Sequence, residues 1–278
     1  MSKSKLGRRR TTSAKLQSFF PVCPGQVVTL KILCAFLINW EKNNMAIKEI
    51  GKPGFRYRTD FVRPDSGLVD AYKDLMDQTG CLTGNVGDCL GRAAAMDSRI
   101  EGLSHGMKVV GPALTVRVPP IDNLMIHKAL TLVKPGDVMV IDGGGDHSWA
   151  LLGFLMASTA IKLGLAGMVV DGCIRDAAEL RASGFPVFTA GINPNGPMKE
   201  GPGEINFSIQ CGGQHVRPGD IIVADDDGVV VVPQAHAAGA VDKVRALIVK
   251  EEKRLAEIEA GQTTRPGLDE MLRHKGLQ

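Results

Sequence analysis

VVDGCIRDAAEL, residues 169–180, is the stretch that decides the fold. An apolar run rises to an Asp-Gly pair, and Arg175 and Asp176 then stand side by side where a helical pattern begins. Two interpretations compete. With Glu179 three residues further on, Asp176 resembles the first residue of a capping box, which the residue pattern alone favours. The position instead favours a ligand site, because parallel α/β sheets bind ligands at the carboxyl ends of their strands.

The segments around this stretch alternate between strand and helix patterns. PGDVMVIDGGG (135–145) predicts a buried strand that ends in a glycine loop, and residues 148–163 have an apolar helical pattern. GLAGMVVDG (164–172) predicts the next strand, residues 176–183 the next helix, and FPVFTAG (185–191) a third strand. Such alternation predicts a parallel α/β core.

The flanking segments are richer in strands, so the fold is predicted to be less regular than a doubly wound sheet. We predict one α/β domain over residues 45–278, with a long charged helix near its C-terminus. Further helices are predicted at 66–78 (capped by Asp65 or Ser66), 83–90, 123–132 and 234–260. Further strands are predicted at 107–118, as one bent strand or two short ones, and at 221–233, as two short strands around an acidic turn.

Composition excludes several classes of protein. The 278 residues are 44% hydrophobic and 23% charged with a net charge of +3, which is ordinary for a globular protein with a sizeable core. The six cysteines form no Cys-x-x-Cys pair, so they are interpreted as reduced thiols in a cytoplasmic protein. No apolar run reaches the roughly 20 residues that span a bilayer, and no aromatic-studded basic stripe indicates nucleic-acid binding. We therefore expect neither a membrane nor a nucleic-acid partner.

Residues 1–44 differ in composition from the rest of the chain. Seven Lys and Arg residues occur before the first acid at Glu41. A segment rich in Arg and Ser and poor in acids is typical of a transit peptide. The alternative, which the abrupt change at Met45 favours, is an extension upstream of the true start. Either way we predict a basic extension that is separate from the domain.

The glycine loop at 143–148 (GGGDHS) invites a dinucleotide-binding interpretation. It lacks the third glycine of that fingerprint, and no acid follows at the distance that ribose binding needs. A weaker expectation survives: the backbone N–H groups at the start of the following helix suit a carboxylate or a phosphate. Within this loop His147, beside Asp146, is the one histidine that we consider a candidate for catalysis. Asp225 to Gly228, an acidic run, lacks the spacing of a calcium loop and predicts a hairpin turn.

From about Lys48 to Glu259 the chain resembles the RraA-like family. This family includes 4-hydroxy-4-methyl-2-oxoglutarate aldolases, oxaloacetate decarboxylases and non-catalytic regulators of ribonuclease E. The resemblance implies a swivelling β/β/α-type single domain that assembles as a homotrimer, or as a homohexamer of two trimers. It rests on five ordered motifs: DNLMIHKAL (122–130), PGDVMVIDGGG (135–145), GLAGMVVDGCIRDAAEL (164–180), FPVF (185–188) and PGDIIVADDDGVVVVP (218–233).

The resemblance also implies roles for individual residues. Arg175 would grip the pyruvyl oxygens, and Asp176 would be the direct ligand of Mg²⁺ or Mn²⁺. Glu179, and Asp88 from a neighbouring subunit, would reach the metal through water. The substrate carboxylate would be held by the amides of the helical turn after the glycine loop, which are those of Gly153, Phe154, Leu155 and Met156.

The expected chemistry is the formation of a pyruvate enolate, by decarboxylation or by aldol cleavage of a 2-oxo acid. A hard divalent metal can absorb the enolate charge, and no lysine near these loops is a candidate for a Schiff base. One departure from the family concerns Phe154, which stands where the aldolases have an acid that acts on the substrate hydroxyl. Decarboxylation needs no such base. The alternative function is a ribonuclease E-type regulator, but regulators typically lose the Asp that this chain keeps as Asp176.

Overall fold

The parallel strands place the quoted stretch in the middle of a sheet. A computed structural model describes residues 47–49 and 53–277, and the predicted basic extension at 1–44 lies outside them. The strands are β1 (Ile47–Glu49), β2 (Phe55–Arg58), β3 (Glu101–Gly102), β4 (Val109–Arg117), β5 (Val138–Asp142), β6 (Ala150–Leu152), β7 (Gly167–Ile174), β8 (Val187–Ile192), β9 (Gly203–Ile205), β10 (Ile209–Cys211), β11 (Gln214–Val216), β12 (Ile221–Asp225) and β13 (Gly228–Val232). The helices are α1 (Ser66–Thr79), α2 (Thr83–Cys89), α3 (Leu124–Leu130), α4 (Phe154–Lys162), α5 (Ala177–Ser183), α6 (Gln234–Glu259) and α7 (Leu268–His274).

The main sheet has the order β1-β2-β9-β4-β5-β7-β8-β3. Strands β4, β5, β7 and β8 are parallel, β6 adds to β7, and the β12–β13 hairpin pairs with β4. Register pairs Arg117 with Asp142 and Asp142 with Asp171. The carboxyl ends of the central strands therefore meet at one edge, and the predicted mixed α/β fold is confirmed.

Burial explains why the central strands read as continuous apolar runs. Every residue of β7 is buried, as are four of the five residues of β5, because the sheet is covered on both faces. A second hydrophobic cluster packs α1 and α6 against the β12–β13 hairpin, where the Tyr72 hydroxyl donates to the Ala237 carbonyl at 2.8 Å. Within the described residues, no helix combines the length and hydropathy required to cross a membrane.

Several local predictions are confirmed, and one is wrong. Asp65 caps α1 by accepting a hydrogen bond from the Gly67 N–H. The single helix predicted at 148–163 is instead strand β6 followed by α4, with Gly153 extended between them (φ −148°). A short apolar run has no distinctive period, and residues 150–152 pair with the end of β7.

The acidic run forms the predicted hairpin turn, and its first carboxylate has a structural role. Asp225 is buried and accepts hydrogen bonds from the N–H groups of Leu82, Thr83 and Asp227 and from the Thr83 hydroxyl. It thereby holds the N-terminus of α2, the helix that contains Asp88. Burial alone would raise the pKa of Asp225, but these hydrogen bonds outweigh that effect and lower it.

Replacing Asp225 by Ala should lower the free energy of unfolding by about 3 kcal/mol, because buried donors lose their acceptor. The exposed neighbour Asp226 accepts one hydrogen bond, from the Gly106 N–H, so Asp226→Ala should cost about 1 kcal/mol or less. Since the folded pKa of Asp225 is depressed, its contribution should be complete above the unfolded pKa of about 3.9 and lost as the pH falls through the folded pKa. Urea unfolding at pH 7 and at pH 3 measures both effects, and equal costs for the two variants would contradict this role.

Candidate active site

Asp176 adopts an unusual backbone conformation at the carboxyl end of β7. Its φ of 57° and ψ of 41° lie in the left-handed region, although it precedes α5 directly. Its side chain makes no capping hydrogen bond to α5, so the capping-box interpretation is wrong. Instead Asp176 Oδ2 accepts a hydrogen bond from the Phe154 N–H at 2.9 Å. A non-glycine residue in this region typically costs about 1–3 kcal/mol, and such residues cluster at functional sites.

Gly153 makes this contact possible. A Cβ at position 153 would lie 2.3 Å from Asp176 Oδ2 and 3.0 Å from Arg175 Cγ. Only a residue without a side chain lets the Asp176 carboxylate reach the first turn of α4. The negative charge of the carboxylate thus lies at the N-terminus of α4, which is the positive end of the helix dipole.

Replacing Gly153 by Ala should displace the Asp176 side chain. The pyruvate-forming reaction expected from the sequence should then slow about a hundredfold, since a misplacement near 1 Å can have that effect. Overpacking should also destabilise the fold by about 1–3 kcal/mol. The matched control is Gly239→Ala, because a Cβ added at that helical glycine meets no atom within 4 Å. Steady-state kinetics and thermal unfolding of both variants provide the measurement. Turnover by Gly153→Ala equal to that of the control would show that the contact does not position Asp176.

Arg175 lies across the same edge of the sheet with its side chain half exposed. Its N–H donates to the Leu152 carbonyl at 2.9 Å, which anchors the backbone, and its Nε lies 3.9 Å from Asp176 Oδ2. The guanidinium passes close to Gly196, where a Cβ would lie 2.8 Å from Arg175 Nη1. The planar donor group therefore remains accessible from solvent while its backbone is anchored.

The amides of the first turn of α4 are only partly free. The Phe154 N–H is engaged by Asp176, and the Met156 N–H donates to the Gly153 carbonyl at 3.2 Å. Among the described residues the Leu155 N–H has no acceptor, and the Leu155 side chain is 82% exposed. Met156 is buried, and the Phe154 side chain is half-buried against the main core. Within the described residues, the N–H groups of Gly153 and Leu155 therefore remain available to receive a carboxylate.

The other two acids predicted at the metal, Glu179 and Asp88, lie on different helices. Glu179 is exposed in the first turn of α5, close in sequence to Asp176. Asp88 lies on α2 and pairs with Arg92 at 3.0 Å. That helix packs against α6 and β13, and within the described part of the chain Asp88 makes no hydrogen bond to Arg175 or Asp176.

Asp146 and His147 meet β7 two residues before Arg175. Nδ1 of His147 lies 3.9 Å from the Cys173 sulfur, and Asp146 accepts a hydrogen bond from the Ser148 N–H at 2.7 Å. Burial, together with the Asp146 charge, raises the pKa of the Cys173 thiol. That thiol is therefore protonated at neutral pH and is not a nucleophile.

The sequence analysis missed the residues that hold the glycine loop. The main-chain carbonyl of Asp171 accepts hydrogen bonds from Gly143 and Gly145, each at 3.1 Å. Its carboxylate accepts from Arg99 Nη2 and from the Gly212 N–H, each at 2.7 Å. Asp171 lies within the stretch quoted above. An acid inside a buried strand could have indicated this role, because a buried carboxylate needs hydrogen-bond partners.

A second loop fixes the segment between the glycine loop and α4. The side-chain amides of Asn193 and Asn195 donate to the His147 and Ser148 carbonyls at 2.8 and 2.9 Å. The Asn195 carbonyl accepts from the Ala150 N–H at 2.9 Å. This loop follows β8, so it too lies at the carboxyl edge of the sheet.

The oxygen atoms at the pair fit a hard divalent cation that keeps most of its water. Oδ2 of Asp176 is hydrogen-bonded, while Oδ1 accepts no hydrogen bond from the described residues, and the side chain is 37% exposed. Mg²⁺ is typically bound by one or two carboxylates with several waters. One free carboxylate oxygen, followed three residues later by an exposed Glu179, suits that pattern.

Another group of possible ligands, Cys81, Asp225 and Asp227, lies away from the pair on the β12–β13 hairpin. Desolvation and the two carboxylates raise the pKa of the Cys81 thiol to about 12. The Cys81 thiol donates to Asp227 Oδ2 at 3.3 Å, and Asp225 is occupied by hydrogen bonds to α2. This group therefore suits a folded hairpin rather than a metal.

Comparison with known proteins identifies relatives of the chain. The sequence pattern of the RraA-like family, described as Aldolase/RraA, matches residues 68–231. A protein of Halalkalibacterium halodurans, provisionally named 4-hydroxy-4-methyl-2-oxoglutarate aldolase, is 41% identical over 169 residues. That alignment covers 61% of this chain and 80% of the relative.

Two solved structures resemble the fold. An uncharacterized protein from Pseudomonas syringae pv. tomato matches with a TM-score of 0.63 and 25% identity, over 72% of this chain and 96% of the other. The Streptomyces coelicolor protein RraAS2, described as an unusual member of the RNase ES inhibitor RraA protein family, matches with a TM-score of 0.59 and 31% identity. That match covers 71% of this chain and all of RraAS2.

Proposed function

Because the chain belongs to the RraA-like family, we propose that it is a metal-dependent lyase that converts a 2-oxo acid to a pyruvate enolate. The observation that carries this proposal is Asp176, which is held in a left-handed conformation with one carboxylate oxygen free beside Arg175. A capping residue needs neither feature. The provisional aldolase name of the Halalkalibacterium halodurans relative supports the same class of reaction.

Each residue of the pair has a distinct role in the proposal. Arg175 holds the carboxylate and 2-oxo oxygens through a planar pair of donors, which lysine does not offer. The Leu155 N–H, at the positive end of α4, holds the substrate carboxylate. Asp176 binds Mg²⁺ or Mn²⁺ directly, and Glu179 acts through water. The bound metal supplies a Lewis acid for the 2-oxo group.

The residues available for proton transfer favour decarboxylation over aldol cleavage. Loss of CO₂ from oxaloacetate leaves its electron pair on the 2-oxo system, and no group of the protein has to remove a proton first. Aldol cleavage requires a base at the substrate hydroxyl, and position 154 is a phenylalanine. Asp146 and His147 are the remaining candidates for this base. Asp146 contacts Ser148, and His147 lies near Cys173. We therefore propose oxaloacetate decarboxylation as the main activity.

The proposed assembly is a homotrimer or a hexamer of two trimers. In one chain Asp88 pairs with Arg92 and makes no hydrogen bond to Asp176. In the proposed assembly, Asp88 of a neighbouring subunit reaches the metal through water.

A regulator without catalysis is the second candidate, and the likeness to RraAS2 favours it. The retained Asp176, and the glycine that accommodates it, argue for the enzyme. A mixture of oxaloacetate and the protein, assayed for pyruvate with Mg²⁺, with Mn²⁺ and with EDTA, discriminates between the two. We expect metal-dependent pyruvate formation above the metal-only rate. No acceleration, or acceleration that is indifferent to EDTA, would contradict the metal-enzyme proposal.

A further inference from the structure

A cleft lined by arginines lies on strands β2, β4 and β9 and the loops beside them, and it contains none of the residues of the proposed catalytic pair. Its volume is about 450 Å³, within the range of small-molecule sites. We infer that this cleft binds a small anion that bears a carboxylate or phosphate group together with a hydroxyl or other hydrogen-bond donor. Its charged lining comprises Arg56, Arg58, Arg117, Arg217 and Glu204.

Most of the lining arginines are held in place by acids. Glu204 accepts from Arg56 Nε at 2.7 Å and from Arg117 Nη1 at 3.2 Å. Arg117 also donates to the Asp142 carboxylate and to the Ser208 carbonyl. Since three nitrogens of Arg117 are engaged, it serves as part of the wall of the cleft. A ligand would instead meet less constrained donors.

Arg217 is the arginine that is free to bind a ligand. Its side chain is exposed and, within the described residues, makes neither a hydrogen bond nor an ion pair. Its backbone N–H is fixed by Asp220 at 2.8 Å, so the loop that carries it is anchored. A guanidinium offers five N–H donors in a fork that matches carboxylate and phosphate oxygens.

Asn206 provides an independent indication of a ligand. It is 2% exposed, lines the cleft and donates through Nδ2 to the Arg58 carbonyl at 2.8 Å. Its Oδ1 is buried and has no hydrogen-bond partner. Leaving a buried acceptor unpaired is costly, and a donor group of a ligand in the cleft would satisfy it. This acceptor is the reason why the inferred ligand carries a donor as well as its charge.

An aromatic surface completes the cleft. The Phe207 ring lies beneath the guanidinium of Arg56, with a distance of 4.6 Å to the ring centroid, and that of Arg58 is 6.0 Å away. These contacts hold both cations over a rigid support. Because Asn206, which carries this unpaired buried oxygen, lines the cleft, we favour a small molecule over a nucleic-acid backbone.

Isothermal titration calorimetry of the full chain in EDTA tests the inference, with citrate as the hydroxylated carboxylate and inorganic pyrophosphate as the phosphate probe. We expect at least one probe to bind, and Arg217→Gln to weaken it about tenfold or more. Arg217→Lys, which keeps the charge but loses the fork, should give an intermediate affinity. The control is Arg245→Gln, an exposed arginine on α6 that should leave binding unchanged.

The proposed catalytic site also contains an arginine, so a further variant separates the two sites. Binding should persist in Arg175→Gln, whereas loss of binding there and retention in Arg217→Gln would overturn the inference. The inference would equally be overturned if neither probe binds the unmodified chain, or if only a single-stranded RNA oligonucleotide binds. Because these titrations use no metal and no 2-oxo acid, their outcome does not depend on the proposed lyase activity.

Discussion

Asp176→Asn should abolish metal-dependent turnover, with a loss of about a hundredfold or more, while the protein remains folded. Residues that only orient metal ligands are typically worth about 10- to 100-fold, and Asp176 is the proposed ligand itself. Asparagine tolerates the left-handed conformation at position 176 and keeps an oxygen for the Phe154 N–H. The variant therefore removes the charge with little change in backbone or contact. Pyruvate formation from oxaloacetate with Mn²⁺ is the measurement.

Asp176→Ala provides the comparison. This substitution removes the carboxylate and places alanine, which disfavours the left-handed conformation, at position 176. The variant should therefore unfold at a lower temperature and form no pyruvate from oxaloacetate. If Asp176 had only a structural role, Asp176→Ala would be destabilised by about 0.5–2 kcal/mol, as for a lost cap. Its turnover would then be normal, and so would that of Asp176→Asn. Normal turnover in either variant would show that Asp176 does not bind the catalytic metal.

Phe154 should separate oxaloacetate decarboxylation from aldol cleavage. Oxaloacetate decarboxylation should proceed, because Arg175 and the metal site suffice for it. Cleavage of 4-hydroxy-4-methyl-2-oxoglutarate should be slower by about 10²- to 10⁴-fold, the usual contribution of a general base. Phe154→Asp should raise the aldolase rate and change decarboxylation little. Initial rates of pyruvate release from each substrate provide the ratio.

The matched control for this prediction is Phe154→Asn. Both substitutions remove a half-buried ring that packs against the core, so they should destabilise the protein to a similar extent, but only the aspartate can act as a base. If asparagine raises the aldolase rate as much as aspartate, the effect is one of space and not of proton transfer. Efficient cleavage by the unmodified protein that persists in the double variant Asp146→Ala, His147→Ala would also contradict the assignment.

The fold was predictable because its strands carry the signal locally. The apolar runs of β5 and β7 are long enough, and their glycine-rich ends clear enough, to indicate a parallel core. Strand β6 was not predictable, since Ala150–Leu152 is too short to show a period. Its identity depends on pairing with the end of β7, which no local pattern reveals.

The candidate site was only partly predictable, because its decisive contact is not local. Arg175 and Asp176 could be selected from their place after a buried strand. The bond between Asp176 and Phe154 joins residues 22 apart, and it depends on the missing side chain of Gly153. The partner of the Asp171 carboxylate, Arg99, is likewise distant in sequence, at 72 residues.

The central claim is that Asp176 and a divalent metal, with Arg175, form a site for a pyruvate enolate. Oxalate has the planar pair of oxygens of that enolate, so calorimetric titration of oxalate with and without Mn²⁺ tests the claim without turnover. We predict that Mn²⁺ strengthens oxalate binding to the unmodified protein and that this gain is lost in Asp176→Asn. An oxalate affinity that Mn²⁺ does not increase, or increases equally in Asp176→Asn, would contradict the claim.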